Sequence, residues 1–155
     1  MMRLASKVLL LWLMVSLPAG AEQSVRDDDI VIHYSAMTTA DLTPDIAKAL
    51  DVTRSRKRAL VVIHAQHLDG ANRVSKLADV QGRTRNLVSQ RRELRFRAVK
   101  DGGTDYAIAV VPVANLETLI FDLEVRVEGH TRAVPIQFRQ QFYHEETTLP
   151  STRHS

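Results

Sequence analysis

The sequence contains no cysteine, which removes thiol catalysis, disulfide stapling and lipoprotein attachment together. Stability must therefore come from packing. Glycine is scarce too, with 6 in 155 residues, and the only adjacent pair, Gly102-Gly103, reads as a hairpin turn and not as a phosphate-cradling loop. No apolar run reaches the roughly 20 residues needed to cross a bilayer. Neither sign of charge prevails, since 21 basic residues face 18 acidic ones. What is present, 45% hydrophobic and 25% charged residues, is the composition of an ordinary globular domain and excludes a collagen or a disordered chain.

The first residues read as a secretory leader. Arg3 and Lys7 form a short positive region, Val8 to Leu17 is apolar, Pro18 breaks the run, and Ala19-Gly20-Ala21 supplies the small residues a signal peptidase requires. Cleavage is expected after Ala21. Removing Arg3 and Lys7 from the 21 basic residues leaves 19 against 18 acidic ones, so the mature chain lacks the summed field that recruits nucleic acid. The expected organisation is a signal peptide over 1–21, a linker over 22–27, one domain over 28–145 and a flexible polar tail over 146–155.

Period-two alternation dominates that domain. Leu119, Phe121, Leu123, Val125 and Val127 alternate with polar residues, which turns one face of a strand into a core and the other into water. Gly129-His130 then reads as a two-residue hairpin turn, and Val134, Ile136, Phe138 and Phe142 continue on the returning strand. Leu94, Phe96 and Ala98 alternate in an earlier strand, followed by turn residues Asp101-Gly102-Gly103 and the nearly continuous apolar run Tyr106 to Val113. Ile30 to Tyr34, Ala59 to Ala65 and a segment from Val74 to Gln81, closed by Gly82, complete about seven strands. Thr43, Pro44 and Asp45 open one short helix between the first two strands. The pattern predicts an all-β fold, an antiparallel two-layer β-sandwich of immunoglobulin-like type, with a small barrel as the alternative. Pro135 cannot donate to a ladder, so its strand is expected at a sheet edge.

The order His33-Tyr34-Ser35-Ala36, Pro44-Asp45-Ile46-Ala47, Arg54-Ser55-Arg56, Glu117-Thr118-Leu119 and Phe138-Arg139-Gln140-Gln141-Phe142-Tyr143 resembles the bacterial domain-of-unknown-function family 4426 over Asp28 to Glu145. The resemblance implies a small exported protein of a Gram-negative bacterium, hence the periplasm. It implies no activity.

The chemistry-bearing residues are sparse. There is no G-x-S-x-G, and Ser24, Ser35, Ser55, Ser75 and Ser89 sit on no strand-to-helix elbow. Asp27-Asp28-Asp29 lacks the register of an EF-hand loop and reads as a solvated acidic terminus. Six histidines remain after the leader: His33, His64, His67, His130, His144 and His154. His64 and His67 lie on opposite faces of one strand, while His33 meets one of them if the first two strands pair. No catalytic, cofactor or metal residue is assigned. Arg54, Arg56 and Arg58 before one strand, and Arg95 and Arg97 around another, are the candidates for binding an anion or a partner through guanidinium contacts. The opposing expectation pairs such arginines with Asp122, Glu124 or Glu128 across strands. The function expected is a non-enzymatic binding or protein-interaction module of the periplasm, with an envelope protein or an anionic ligand as partner, engaged by a sheet face or by strand addition at the Pro135 edge. The alternatives are a metal-dependent factor or enzyme built on His33 and His64, and anionic lipid or glycan binding through the arginines.

Overall fold

The computed structural model describes residues 23–144. The expected signal peptide and polar tail lie outside the described residues. Ten strands form two antiparallel sheets: β1 (Gln23–Asp27), β2 (Ile30–Thr38), β3 (Arg58–Asp69), β4 (Asn72–Lys76), β5 (Ala78–Asn86), β6 (Arg91–Leu94), β7 (Arg97–Asp101), β8 (Thr104–Pro112), β9 (Thr118–Val127) and β10 (Val134–Gln141). One sheet has the order β1-β2-β3-β8-β7, with β4 alongside the distal half of β3; the other has the order β10-β9-β5-β6.

The sheets meet through the alternating residues read from the sequence. Leu119, Phe121, Leu123, Val125 and Val127 are all buried, and their register partners Phe138, Ile136 and Val134 are buried beside them. Phe121 stacks on Phe138 with centroids 4.6 Å apart, and Tyr34 of the opposite sheet approaches Phe138 at 4.9 Å. These rings bridge the two layers. A smaller cluster lies on the outer face of the first sheet. There helix α1 (Pro44–Ala49) lays Ala47 over Leu60 and Ile108, with Leu42 beside them. This second cover explains why β3 and β8 carry apolar residues on both faces. The Thr43 side chain accepts from the Ile46 N–H at 3.3 Å, the cap expected before Pro44.

The sandwich and its single short helix agree with the expectation, but three extra strands appear for identifiable reasons. Residues 23–27, expected as a linker, form β1, because their backbone pairs with β2 although their side chains are largely exposed. The strand expected over Val74 to Gln81 is divided at Leu77, where the chain leaves the first sheet as β4 and enters the second as β5. The strand expected around Leu94 to Ala98 is divided in the same way, with β6 in one sheet and β7 in the other. Alternation survives such a crossing, so the sequence pattern shows no break. Gly82 does not close a strand. It lies within β5 opposite Leu123, where a Cβ would fall 2.5 Å from the Asp122 carbonyl oxygen. The Gly129-His130 turn also differs: Val134 pairs with Val125, which leaves a long connection between β9 and β10. In it Gly129 adopts φ 85 as the third residue of a turn closed by the His130 N–H on the Val127 carbonyl. Gly102-Gly103 is a two-residue turn as expected, with both φ positive and Asp101 paired to Thr104. β10 is an edge strand, as Pro135 requires.

One end of the sandwich is held by a polar network. The Asn86 Oδ1 accepts from the Val88 and Gln90 N–H groups, and its Nδ2 donates to Gln90 Oε1 and Glu117 Oε1. Arg92 reaches Glu117 Oε1 at 2.9 Å, and the Ala114 N–H donates to Oε2 at 2.9 Å. Burial raises the Glu117 pKa, but the hydrogen bonds from Arg92, Ala114 and Asn86 and the charge of Arg92 outweigh it and hold the carboxyl below its ordinary value.

Two outcomes follow. Gly82→Ala forces a methyl group against backbone and is expected to lower stability by about 1 to 3 kcal/mol, read as a lower urea midpoint; an unchanged midpoint contradicts the close approach. Because the folded pKa of Glu117 is lowered, its contribution is complete above the unfolded value of about 4.3 and is lost as pH falls through the folded value. The melting temperature of the wild type should therefore fall more steeply in that acid range than that of Glu117→Gln, and parallel curves would refute the assignment.

Candidate metal centre

The opposite end of the sandwich gathers three elements. Asp27 pairs with Ile30, so Asp28 and Asp29 form the turn between β1 and β2, with Asp28 at φ 52. The Leu68 N–H donates to the Asp29 carbonyl at 2.6 Å, which extends the β2–β3 ladder and sets Asp29 beside His67. The β9–β10 connection brings His130 to the same place. Arg132 donates to both carboxylate oxygens of Asp27 at 2.9 Å and fastens that connection to the β1–β2 turn.

Asp29, His67 and His130 each present a ligand atom, and these atoms lie within 4.8 Å of one another. All three residues are half-buried. The His67 and His130 rings are 6.1 Å apart at 47°. His67 Nδ1 is 3.3 Å from Asp29 Oδ2, but it is buried and makes no hydrogen bond. This nitrogen stands at ion-pair distance from the carboxylate yet makes no hydrogen bond, and native structures rarely leave a buried polar atom without one. Zinc-type coordination with bonds near 2.1 Å sets donors about 3.4 Å apart, so small side-chain rotations bring this set to ligand spacing.

The other expected residues fall elsewhere. His33 and His64 are register partners in β2 and β3, with rings stacked 5.9 Å apart at 18°, on the outer face of the first sheet. The pairing condition is thus met. His64 Nδ1 lies 3.1 Å from the Asp105 carbonyl, which only accepts, so that nitrogen carries the proton and is not a ligand. His33 Nε2 lies 3.2 Å from Gln66 Oε1. Among the described residues no carboxylate or third imidazole joins this pair as a ligand set. His67 points to the opposite face from His64, as alternation requires. His144 lies at the other end, its N–H on Asn115 Oδ1, and His154 lies outside the described residues.

The arginines are dispersed. Arg54 donates to the Ala40 carbonyl at 3.0 Å, and Arg97 donates to the Leu50 and Asp51 carbonyls at the end of α1, where a cation complements the helix dipole. Arg56 precedes β3, Arg58 opens it, and Arg95 is exposed where the chain crosses between sheets. Pairing across strands is made by Arg85 with Asp122 at 3.7 Å and by Arg92 with Glu117. The acidic run Asp27 to Asp29 is not a solvated terminus: Asp27 holds Arg132 and Asp29 joins two histidines. No spacing in the sequence links positions 29, 67 and 130. The only local signals were the turn residues around Asp28 and Gly129, each of which aims a neighbour across the gap between sheets.

Residues 24–145 match the family model described as Domain of unknown function (DUF4426). The chain belongs to the DUF4426 family. A DUF4426 family protein from Pseudomonas aeruginosa, known from its crystal structure, is 27% identical, with a TM-score of 0.67 over 81% of this chain and 97% of that one. A copper-bound glutamate-to-glutamine variant of FetP from uropathogenic Escherichia coli strain F11 aligns with a TM-score of 0.56 at 7% identity, over 79% of this chain and 95% of that one. FetP of the same strain, as isolated after recombinant expression in the periplasm of E. coli BL21(DE3), aligns with the same TM-score and identity over 80% and 95%. At that identity the common property is the fold. No curated protein matches the sequence. Among the described residues of this DUF4426 protein, no helix is long and apolar enough to cross a membrane.

Arg132 is exposed and its ion pair with Asp27 is open to water, so Arg132→Ala should leave the melting temperature nearly unchanged. The same substitution should accelerate amide exchange through residues 128–133 by releasing the loop. Unaltered exchange there would show that the ion pair does not position His130.

Proposed function

We propose that this DUF4426 protein is a non-enzymatic binding module of the periplasm that takes a divalent transition metal at Asp29, His67 and His130. The observation that carries this reading is the convergence of one ligand atom each from Asp29, His67 and His130 within 4.8 Å of one another, beside a buried His67 Nδ1 that makes no hydrogen bond. Two imidazoles and a carboxylate suit late first-row metals, and the stability order of such complexes puts Cu2+ ahead of Zn2+ and Ni2+. Three protein ligands leave further positions open to water or to a donor from a partner, which fits acquisition and release better than a closed structural site. The periplasmic location is supported by the leader-like residues before position 22. The FetP variant, which shares this fold at 7% identity, is copper-bound.

The test is calorimetric titration of tag-free protein with Cu2+ and with Zn2+. One equivalent is expected to bind. His67→Ala and His130→Ala should each weaken binding by at least about tenfold, whereas His33→Ala and His64→Ala should not. Wild-type affinity in the His67 and His130 variants, or a loss confined to the His33 and His64 variants, would overturn the assignment.

A further inference from the structure

The end of the sandwich remote from Asp29, His67 and His130 presents large apolar side chains to water on loop tips. Leu87 and Val88, between β5 and β6, are 60% and 75% exposed, while Leu116 and Tyr143 are each 60% exposed. Hydrogen bonds fasten these segments to one another: Asn86 ties the β5–β6 turn to Glu117, Gln141 Nε2 donates to the Leu116 carbonyl, and the Tyr143 hydroxyl donates to Gln141 Oε1. Leu116 stands at φ 61, a conformation bulky residues rarely keep, and it exposes its side chain there.

Exposed arginines stand at the same end. Arg91, directly opposite Arg85 in the register, is exposed and pairs with no carboxylate among the described residues. Arg58 pairs in register with Pro112, whose carbonyl receives Arg92, so Arg58 and Arg92 both lie at this end, on different sheets. Glu117, the carboxylate beneath the tips, is already neutralised by Arg92. The surface is thus apolar at its points and carries exposed arginines at its rim.

We infer that this end is a docking surface for an anionic phospholipid bilayer, with Leu87, Val88 and Leu116 entering the headgroup–acyl boundary, Tyr143 at the interface, and Arg58 and Arg91 against lipid phosphates. Apolar residues carried on separate rigid tips suit a fluid bilayer, which fills the gaps between them, while the positive rim selects anionic headgroups. The inference is independent of the metal centre, which lies at the other end.

The experiment uses residues 22–155, which carry all ten strands and no tryptophan, the single Trp12 being in the leader. In sedimentation with vesicles, retention on phosphatidylcholine containing about one-third phosphatidylglycerol should exceed retention on phosphatidylcholine alone by about tenfold, and added salt should reduce it. Leu87→Asp combined with Val88→Asp, and separately Arg91→Glu, should each lower retention on the anionic vesicles about tenfold, whereas His67→Ala should not change it. Val88→Trp places a lone fluorophore on an exposed tip, so its emission should shift to the blue with anionic vesicles whatever the stability of the aspartate variants. Equal retention on both vesicles, retention of the aspartate variant at the wild-type level, or an unshifted Val88→Trp emission overturns the inference.

Discussion

The stack of Phe121 on Phe138, with Tyr34 reaching across from the other sheet, marks the contact on which the molecule depends. With no cysteine to staple the layers, only the burial of two apolar sheet faces opposes the conformational entropy of the chain. Each sheet by itself has one face that water would reject. The crossings at Leu77 and between Leu94 and Arg97 carry the backbone from one layer to the other, so the layers are also joined covalently at two internal points besides their loops.

This construction leaves the ends of the sandwich free of packing duty. At one end, the β1–β2 turn, the end of β3 and the β9–β10 connection bring Asp29, His67 and His130 together, with Arg132 on Asp27 as a tie. At the other, Asn86 and Glu117 hold loops whose tips are apolar. Both arrangements place polar or apolar groups where the core has no need of them. A rigid sandwich with chemistry confined to its loops is a common division of labour, because loop residues vary without disturbing the packed faces.

Much of the fold was legible because alternation is a local signal. The inward residues of β9, the capped start of α1 at Thr43 and Pro44, the Gly102-Gly103 turn and the edge position of Pro135 are each dictated within a few residues of sequence. The division of two expected strands was not, since a strand that changes sheets keeps its alternation and only its hydrogen-bond partners change. Strand β1 was hidden for a related reason: as an exposed edge it needs backbone partners and no apolar pattern.

The candidate site was less legible than the fold. Asp29 stands in an acidic run that resembles a solvated terminus and His130 in a turn, whereas His33 and His64, the pair suggested by sequence, do stack but meet no third ligand among the described residues. The amino-acid order alone determined a disulfide-free pair of antiparallel layers, because side-chain direction follows position along a strand. Which loops share an end of the sandwich, and therefore which aspartate meets which histidines, was decided only by strand order and register, since those arise from pairings between residues far apart in the chain.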